Sequence, residues 1–424
     1  MLSLQELRES LKMAEQLARL SLCPESGGQE APQLGQRETK PYVPPKQLLL
    51  YLVRMGSFTS KPQVDSEEGQ DDSVSVPEGV VGHEALLAWV RTHLTHLPSL
   101  LPRVYRKRPP VNAPRHATAT PPEATFRVMQ WNILAQALGT HADNFVKCPS
   151  QALEWGTRRY RILEEILTHL PQVICLQEVD HYAVLERVLS SVGYRGVFMA
   201  KPDSPCLYLP NNNGPDGCAI FWDDSRFRLV TKETRVVEVW HVQSNQVAIL
   251  LVLEERTTQK QVVVLTTHLK ARQGALLSSL RNEQGKDLLS FLSEHSQTRP
   301  TIVCGDFNAE PSEPVYSTMT DKSTGLESAY ALLHDGKEPT YSSWKVRGED
   351  DCCNNIDYIF YTPVSLYVEG GVDVPTEEDL GPGRAPCLSY PSDHFSLICD
   401  FTFSTVNNTD TKSDTNLIDK ESNL

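Results

Sequence analysis

Six apolar stretches of this chain end or begin on polar residues, and those residues are of the kinds that handle phosphate. VMQWN closes on Asn132 and VICLQE on Glu178; VVVLTTH closes on His268, with Lys270 and Arg272 just beyond. IVCGDFN carries Asp306 and Asn308, Asp357 opens DYIFY, and Asp393 and His394 precede FSLICDF. In open α/β sheets the strand ends at one rim form the ligand crevice. If these ends converge, the rim holds a carboxylate cluster, two histidines, two amides and two cations. Hard oxygen donors suit Mg²⁺, which binds through one or two carboxylates together with substrate phosphate and water. Histidines and cations stabilise equatorial phosphoryl charge. A carboxylate near an amide can position and deprotonate a water. The sequence offers no thiol or serine constellation, no glycine-rich phosphate cradle and no His/Cys zinc set.

Each residue alone has an ordinary explanation. Glu178 reads more readily as a strand-end charge than as a metal ligand, and His268 equally well as a satisfied histidine. Asn132 and Asn308 fit turns, Asp306 a helix cap, Asp357 a strand opening, and Lys270 with Arg272 a solvated edge. Six polar strand ends together are a poor coincidence, and they define a metal-dependent phosphate-handling site.

The elements that must position these residues begin at Phe126. From there to Phe403 short apolar runs (FRVMQWN, QVICLQE, GCAIFWD, QVAILLVLE, QVVVLTTHL, TIVCGDFN, IDYIFY, FSLICDF) alternate with amphipathic stretches at 157–170, 181–191, 277–295 and 312–334. The alternation predicts an α/β sandwich with largely buried sheets. Residues 1–81 read as mostly disordered, with an amphipathic helix over the first 22 residues and an acidic run at 65–73. Residues 82–125 read as a helix, GHEALLAWVRTHLTHL, followed by a basic Pro-rich connector, and 404–424 as a disordered polar tail.

Composition narrows the function. The 424 residues are 40% hydrophobic, enough for a full core, and carry a net charge of −14. A protein that grips nucleic acid through its phosphates is usually basic. Here 126–403 holds 24 Lys+Arg against 36 Asp+Glu, with several of the cations inside the site motifs. That favours a compact substrate with a few phosphates over a polymer, leaving RNA as a weak partner. No apolar run reaches the roughly 18–20 residues of a membrane span. Ten cysteines without zinc spacing, several inside apolar runs, read as free thiols of a reducing, cytoplasmic compartment. The N-terminal periodicity keeps a mitochondrial pool open, although Glu6, Glu9 and Glu15 are wrong for a presequence. A nuclear pool and a protein partner for that helix stay open as well.

WNILA, LQEVD, THLKAR, GDFNAEP, IDYIFY and YPSDHFSLICDF, in this order over 126–403, resemble the endonuclease/exonuclease/phosphatase superfamily, most closely its deadenylase-like branch. The resemblance implies a four-layer α/β sandwich of two packed mixed sheets flanked by helices. It implies one main Mg²⁺ held by Glu178 with Asn132 nearby. Asp306 would activate or orient the attacking water, Asn308 would align it, and His268 and His394 would contact the scissile phosphate. Asp357 and Asp393 would orient this pair or the metal's waters. Lys201, Asn245, Lys270 and Arg272 match substrate-contacting positions, and Arg347 in WKVRG is a further phosphate contact. Asp203 departs from the vertebrate KPWSPC pattern, which carries a tryptophan there, so an aromatic stacking platform is missing at that position.

Three functions follow as expectations. The first is removal of the 2′-phosphate from NADP⁺ and NADPH, and the second is removal of poly(A) from messenger RNA. The resemblance implies both, along with a link to circadian control of metabolism. The third, an inactive binding scaffold, is the weakest because every expected polar position is filled.

Overall fold

The computed structural model of the chain describes residues 74–108, 125–139 and 145–404. The expected N-terminal helix, the acidic run, the connector beyond Arg108 and the tail beyond Ser404 lie outside the described residues.

Two mixed sheets pack face to face. The first holds Tyr105–Lys107 (β1), Thr125–Asn132 (β2), Val173–Val179 (β3), Tyr194–Ala200 (β4), Gly217–Asp223 (β5), Leu366–Val372 (β14) and Leu397–Phe403 (β15). Their spatial order is β1-β14-β15-β2-β3-β5-β4. The second holds Phe227–Val239 (β6), Val242–Glu255 (β7), Gln261–His268 (β8), Thr301–Asp306 (β9), Glu327–Ser328 (β10) and Asp357–Tyr361 (β13), in the order β10-β13-β9-β8-β7-β6. A separate hairpin joins Ser343–Arg347 (β11) to Asp350–Asn354 (β12). Each large sheet contains one parallel pair, β2/β3 in the first and β8/β9 in the second. A parallel pair needs a crossover, usually helical. Trp155–His169 lies between β2 and β3, and Ala275–Ser296 between β8 and β9.

Three buried clusters show the layers. Phe126, Val128, Cys175, Ile220, Leu251, Val264, Ile302 and Phe401 belong to the cluster that fills the space between the sheets. His83–Thr92 (α1), Trp155–His169 (α2) and Tyr182–Ser190 (α3) contribute to the cluster on the outer face of the first sheet, with Leu86, Val90, Ile162, Leu163, Val184 and Leu185. Ala275–Ser296 (α4) covers the second sheet through Leu288, Phe291 and Leu292. The order helix, sheet, sheet, helix is the four-layer sandwich expected.

Arg103 ties the segment after α1 into this body. Its guanidinium donates to Glu165 Oε1 at 2.9 Å, to the Ser396 hydroxyl at 3.1 Å and to the Asp373 carbonyl at 2.7 Å, all in the interior. Residues 74–81 also pack on the core, with Val74 buried and Val76 and Val80 against it.

The amphipathic stretch at 312–334 is not one helix. It splits into Pro314–Met319, the two-residue strand β10 and Ala329–Leu333. Thr320 ends the first piece, Asp321 accepts from Ser323 in a turn, and Gly325 sits at a φ of 67° that continues no helix. Strands β4, β6 and β14 and the β11–β12 hairpin were not among the apolar runs. β6 alternates exposed and half-buried residues along a sheet edge, which leaves no continuous apolar signal.

Candidate active site

The C-terminal ends of the two parallel pairs open on the same rim. Asn132 and Glu178 come from β2 and β3, and His268 and Asp306 from β8 and β9, where the two residues are directly paired in register. Asp357 lies opposite Asp306 in the antiparallel β13/β9 pair. Asp393 and His394 arrive on the loop before β15, where His394 bridges to Ser343 of the hairpin.

Local backbone geometry aims the side chains. The β3/β5 register slips between Leu176 and Val179, and Glu178 has a φ of 54°. Such a bulge re-aims a side chain that regular pleating would send elsewhere. Asn308 has a φ of 49°, and its N–H donates to Asp306 Oδ1 at 2.9 Å, fixing that carboxylate from its own loop.

Asp306 sits at the centre. The Asn132 amide donates to its Oδ2 at 2.9 Å and to Glu178 Oε1 at 3.0 Å. His268 Nε2 and His394 Nε2 lie 3.6 and 3.8 Å from the same oxygen. Burial, then the nearby Asp357 charge, pushes the Asp306 carboxyl up to about 7. His394 goes the other way from its surroundings. Burial opposes its charge, but Asp357, with Oδ2 2.8 Å from Nδ1, and then Asp393 and Asp306 outweigh it and raise the ring to about 9. His268 is held well below its ordinary value by burial and by Lys201, His394 and Lys270. Lys201 Nζ lies 3.2 Å from His268 Nδ1 and the Asn308 amide nitrogen 2.9 Å from Nε2, so nitrogen donors flank both sides of the ring.

The expected substrate contacts separate into two groups. Lys201 is fully engaged with Asp216 at 2.6 Å and lines the buried side of His268. Lys270 is buried at the rim, and burial followed by the Arg272 and Lys201 charges lowers it to about 8. Arg272 is exposed; Arg281 donates to the carbonyls of Lys270 and Arg272 and so fixes their loop. Asn245 spends both ends of its amide inside the protein, donating to the Asp203 carbonyl and accepting from Gln246, each at 3.0 Å. Arg347 is exposed on the β11–β12 hairpin, 5.7 Å above the Phe145 ring and on the flank of Asp393. Asp203 accepts from the Tyr208 hydroxyl at 2.7 Å.

Sequence reasoning missed the residues beneath the site. Gln130 and Gln177 exchange reciprocal amide hydrogen bonds at 2.6 and 2.8 Å, and Gln177 reaches Thr266 of the second sheet at 2.9 Å. Gln130 also donates to Asp357 Oδ1, and Ser342 donates to Asp357 Oδ2. Lys345 is ion-paired with Asp393 and, against the penalty of burial, holds that carboxylate well below the usual range. The signals were present: a glutamine inside VMQWN and another inside VICLQE, and a lysine two positions before Arg347 on the same face of a strand.

The donor set fits a hard divalent cation. Glu178, His268 and Asp306 offer ligand atoms within 4.8 Å of one another, as do Asp306, Asp357 and His394. An amide N–H donor stands between the Glu178 and Asp306 carboxylates, where a cation is favoured, and no thiol belongs to either cluster.

The chain belongs to the endonuclease/exonuclease/phosphatase family, whose model matches residues 129–394, a span that takes in the whole rim from Asn132 to His394. Within it, the sequence is similar to nocturnins. It is 46% identical to Drosophila melanogaster nocturnin over 398 residues, covering 85% of this chain and 62% of that protein. It is 50% identical to Xenopus laevis nocturnin over 285 residues, covering 66% of this chain and 73% of that protein. The structure of the human nocturnin catalytic domain with a bound sulfate anion superposes with a TM-score of 0.58 at 41% identity, covering 71% of this chain and 98% of the domain.

Proposed function

We propose that the chain is a Mg²⁺-dependent phosphatase that removes the 2′-phosphate from NADP⁺ and NADPH, giving NAD⁺ or NADH and inorganic phosphate. The observation that carries this reading is Lys270 at the rim, its charge bearing on His268, with Arg272 on the same loop, in a domain whose net charge is otherwise strongly negative. Those cations suit a compact polyanion, and the acidic remainder gives a long polymer little to hold.

Glu178 and Asn132 would hold the ion, which when bound supplies neutralising charge to the phosphoryl oxygens. The protein's own groups do the rest. Asp306, a carboxyl that protonates near neutral pH in the metal-free site, accepts a proton from the attacking water at Oδ2. Asn308 and Asn132 hold that carboxylate in place. His394 presents a charged ring that donates to oxygens on which negative charge develops, and His268 lies beside it as a neutral ring. Lys270 and Arg272 hold the remaining phosphates of the dinucleotide by charge-assisted hydrogen bonds.

The test is phosphate release from NADPH by Lys270→Ala and by Lys322→Ala, an exposed lysine remote from the site motifs. The first should lose most of its kcat/KM and the second none; equal turnover by both would remove the observation on which the proposal stands.

A further inference from the structure

Arg158 on α2 is fully buried, yet its hydrogen bonds go to neutral groups. Nε donates to the Pro391 carbonyl at 2.8 Å, and Nη1 to the Gln136 side-chain oxygen at 2.7 Å. Nη2 donates to the Ile133 carbonyl at 2.6 Å and to the Leu134 carbonyl. The 133–136 loop follows Asn132 directly. Its Leu134 N–H donates to Asn132 Oδ1 at 3.0 Å, and its Ala135 N–H to Glu178 Oε2 at 3.1 Å. Leu134 has a φ of 62°, a conformation that an apolar residue adopts only under outside constraint. Pro391 begins the segment carrying Asp393 and His394, and Ser392 donates to the Asn132 carbonyl at 2.7 Å. One planar guanidinium therefore grips both halves of the site from behind. Its charge also faces Asp180, Asp393 and Glu178 across the interior.

We propose that Arg158 is a positioning residue that sets Asn132 and Glu178 against the Asp393–His394 segment, and thereby fixes the site's affinity for a divalent cation. The inference rests on the metal-dependent reading given above. Lysine at this position keeps the charge but cannot reproduce the fork of donors that spans the two loops. The same helix supplies a matched control. Arg161 is equally buried and donates to the Leu388 and Pro98 carbonyls and to Glu164, none of which adjoins Asn132 or Glu178.

The experiment compares Arg158→Lys and Arg161→Lys in the full chain. Mn²⁺ binding is read by electron paramagnetic resonance without substrate, beside thermal unfolding and phosphate release. Arg158→Lys should weaken Mn²⁺ binding by about 10–100-fold, the range for residues that orient metal ligands, and lower kcat while leaving KM for NADPH near the wild-type value. Arg161→Lys should lose comparable stability and keep its Mn²⁺ affinity. If Arg158→Lys does not fold, Gln136→Met, which removes one of the guanidinium's partners, should give a smaller weakening in the same direction. Wild-type Mn²⁺ affinity in the position-158 variant, or an equal loss in both arginine variants, overturns this inference alone. A wild-type protein that binds no Mn²⁺ overturns the metal-dependent reading and the inference with it.

Discussion

Asp357→Asn should change the charge of His394 while leaving the ring's hydrogen bond nearly the same in shape. Asp357 Oδ2 lies 2.8 Å from His394 Nδ1 and also accepts from Ser342; an amide oxygen there keeps both contacts, and the amide NH2 gives up only the hydrogen bond that Gln130 donates to Oδ1. Burial alone would lower the ring; the Asp357 carboxylate is the largest influence raising it to about 9. Moving a histidine from its ordinary 6.5 to about 9 represents roughly 3 kcal/mol in favour of the imidazolium. Without the carboxylate the ring should return towards the ordinary value or fall below it. The sign follows directly: the wild-type ring is charged at pH 7.5, whereas at a pKa of about 6.5 only roughly one ring in ten is. Histidine NMR titration of the metal-free variant reads the pKa, and phosphate release reads kcat, which should fall on the order of tenfold or more near neutral pH. A His394 that still titrates near its wild-type value in Asp357→Asn, or an unchanged kcat with a demonstrably neutral ring, refutes the reasoning.

Lys270, lowered to about 8 by burial and by the Arg272 and Lys201 charges, carries its charge below that pH and loses it above. KM for the dinucleotide should therefore rise as pH passes through about 8, and Lys270→Arg, always charged, should remove that rise. Arg103→Ala takes from the buried Glu165 its guanidinium partner, leaving it only the Ser396 and Tyr390 hydroxyls and the His169 ring, and should destabilise the protein by about 3 kcal/mol in denaturant unfolding. Gly217→Ala would put a Cβ 2.1 Å from the Met199 carbonyl oxygen, so β4 must shift from β5, and thermal unfolding should show a large loss.

Much of the sandwich was legible because its central strands are apolar on both faces. β7 and β8 read as continuous hydrophobic runs, and their buried patterns explain why. β4 and β6 lie at sheet edges with half-exposed residues, and such strands carry too little periodic signal to separate from loops. The 312–334 stretch shows the reverse error: apolar spacing suited one helix, and a turn around Gly325 divides it. Of the site, Asn132, Glu178, His268, Asp306, Asn308, Asp357, Asp393 and His394 were readable as polar residues at strand ends, and these strand ends do meet. Lys345, Gln130 and Arg158 were not, because their meaning depends on partners far away in sequence: Lys345 acts on Asp393, and Arg158 on Pro391. Only the packing of one sheet and one helix against another brings those groups together.

The proposed chemistry is hydrolysis of the 2′-phosphomonoester of NADP(H). The direct measurement compares phosphate released from NADP⁺ and NADPH with AMP released from oligo(A), at equal enzyme, with Mg²⁺ and near-physiological salt. Glu178→Ala and an EDTA-treated sample serve as blanks. Phosphate from both dinucleotides, lost in both blanks, with only slight and salt-sensitive AMP release, is the predicted result. Rapid AMP release from oligo(A) with no phosphate from either dinucleotide would contradict the account and identify an exoribonuclease instead.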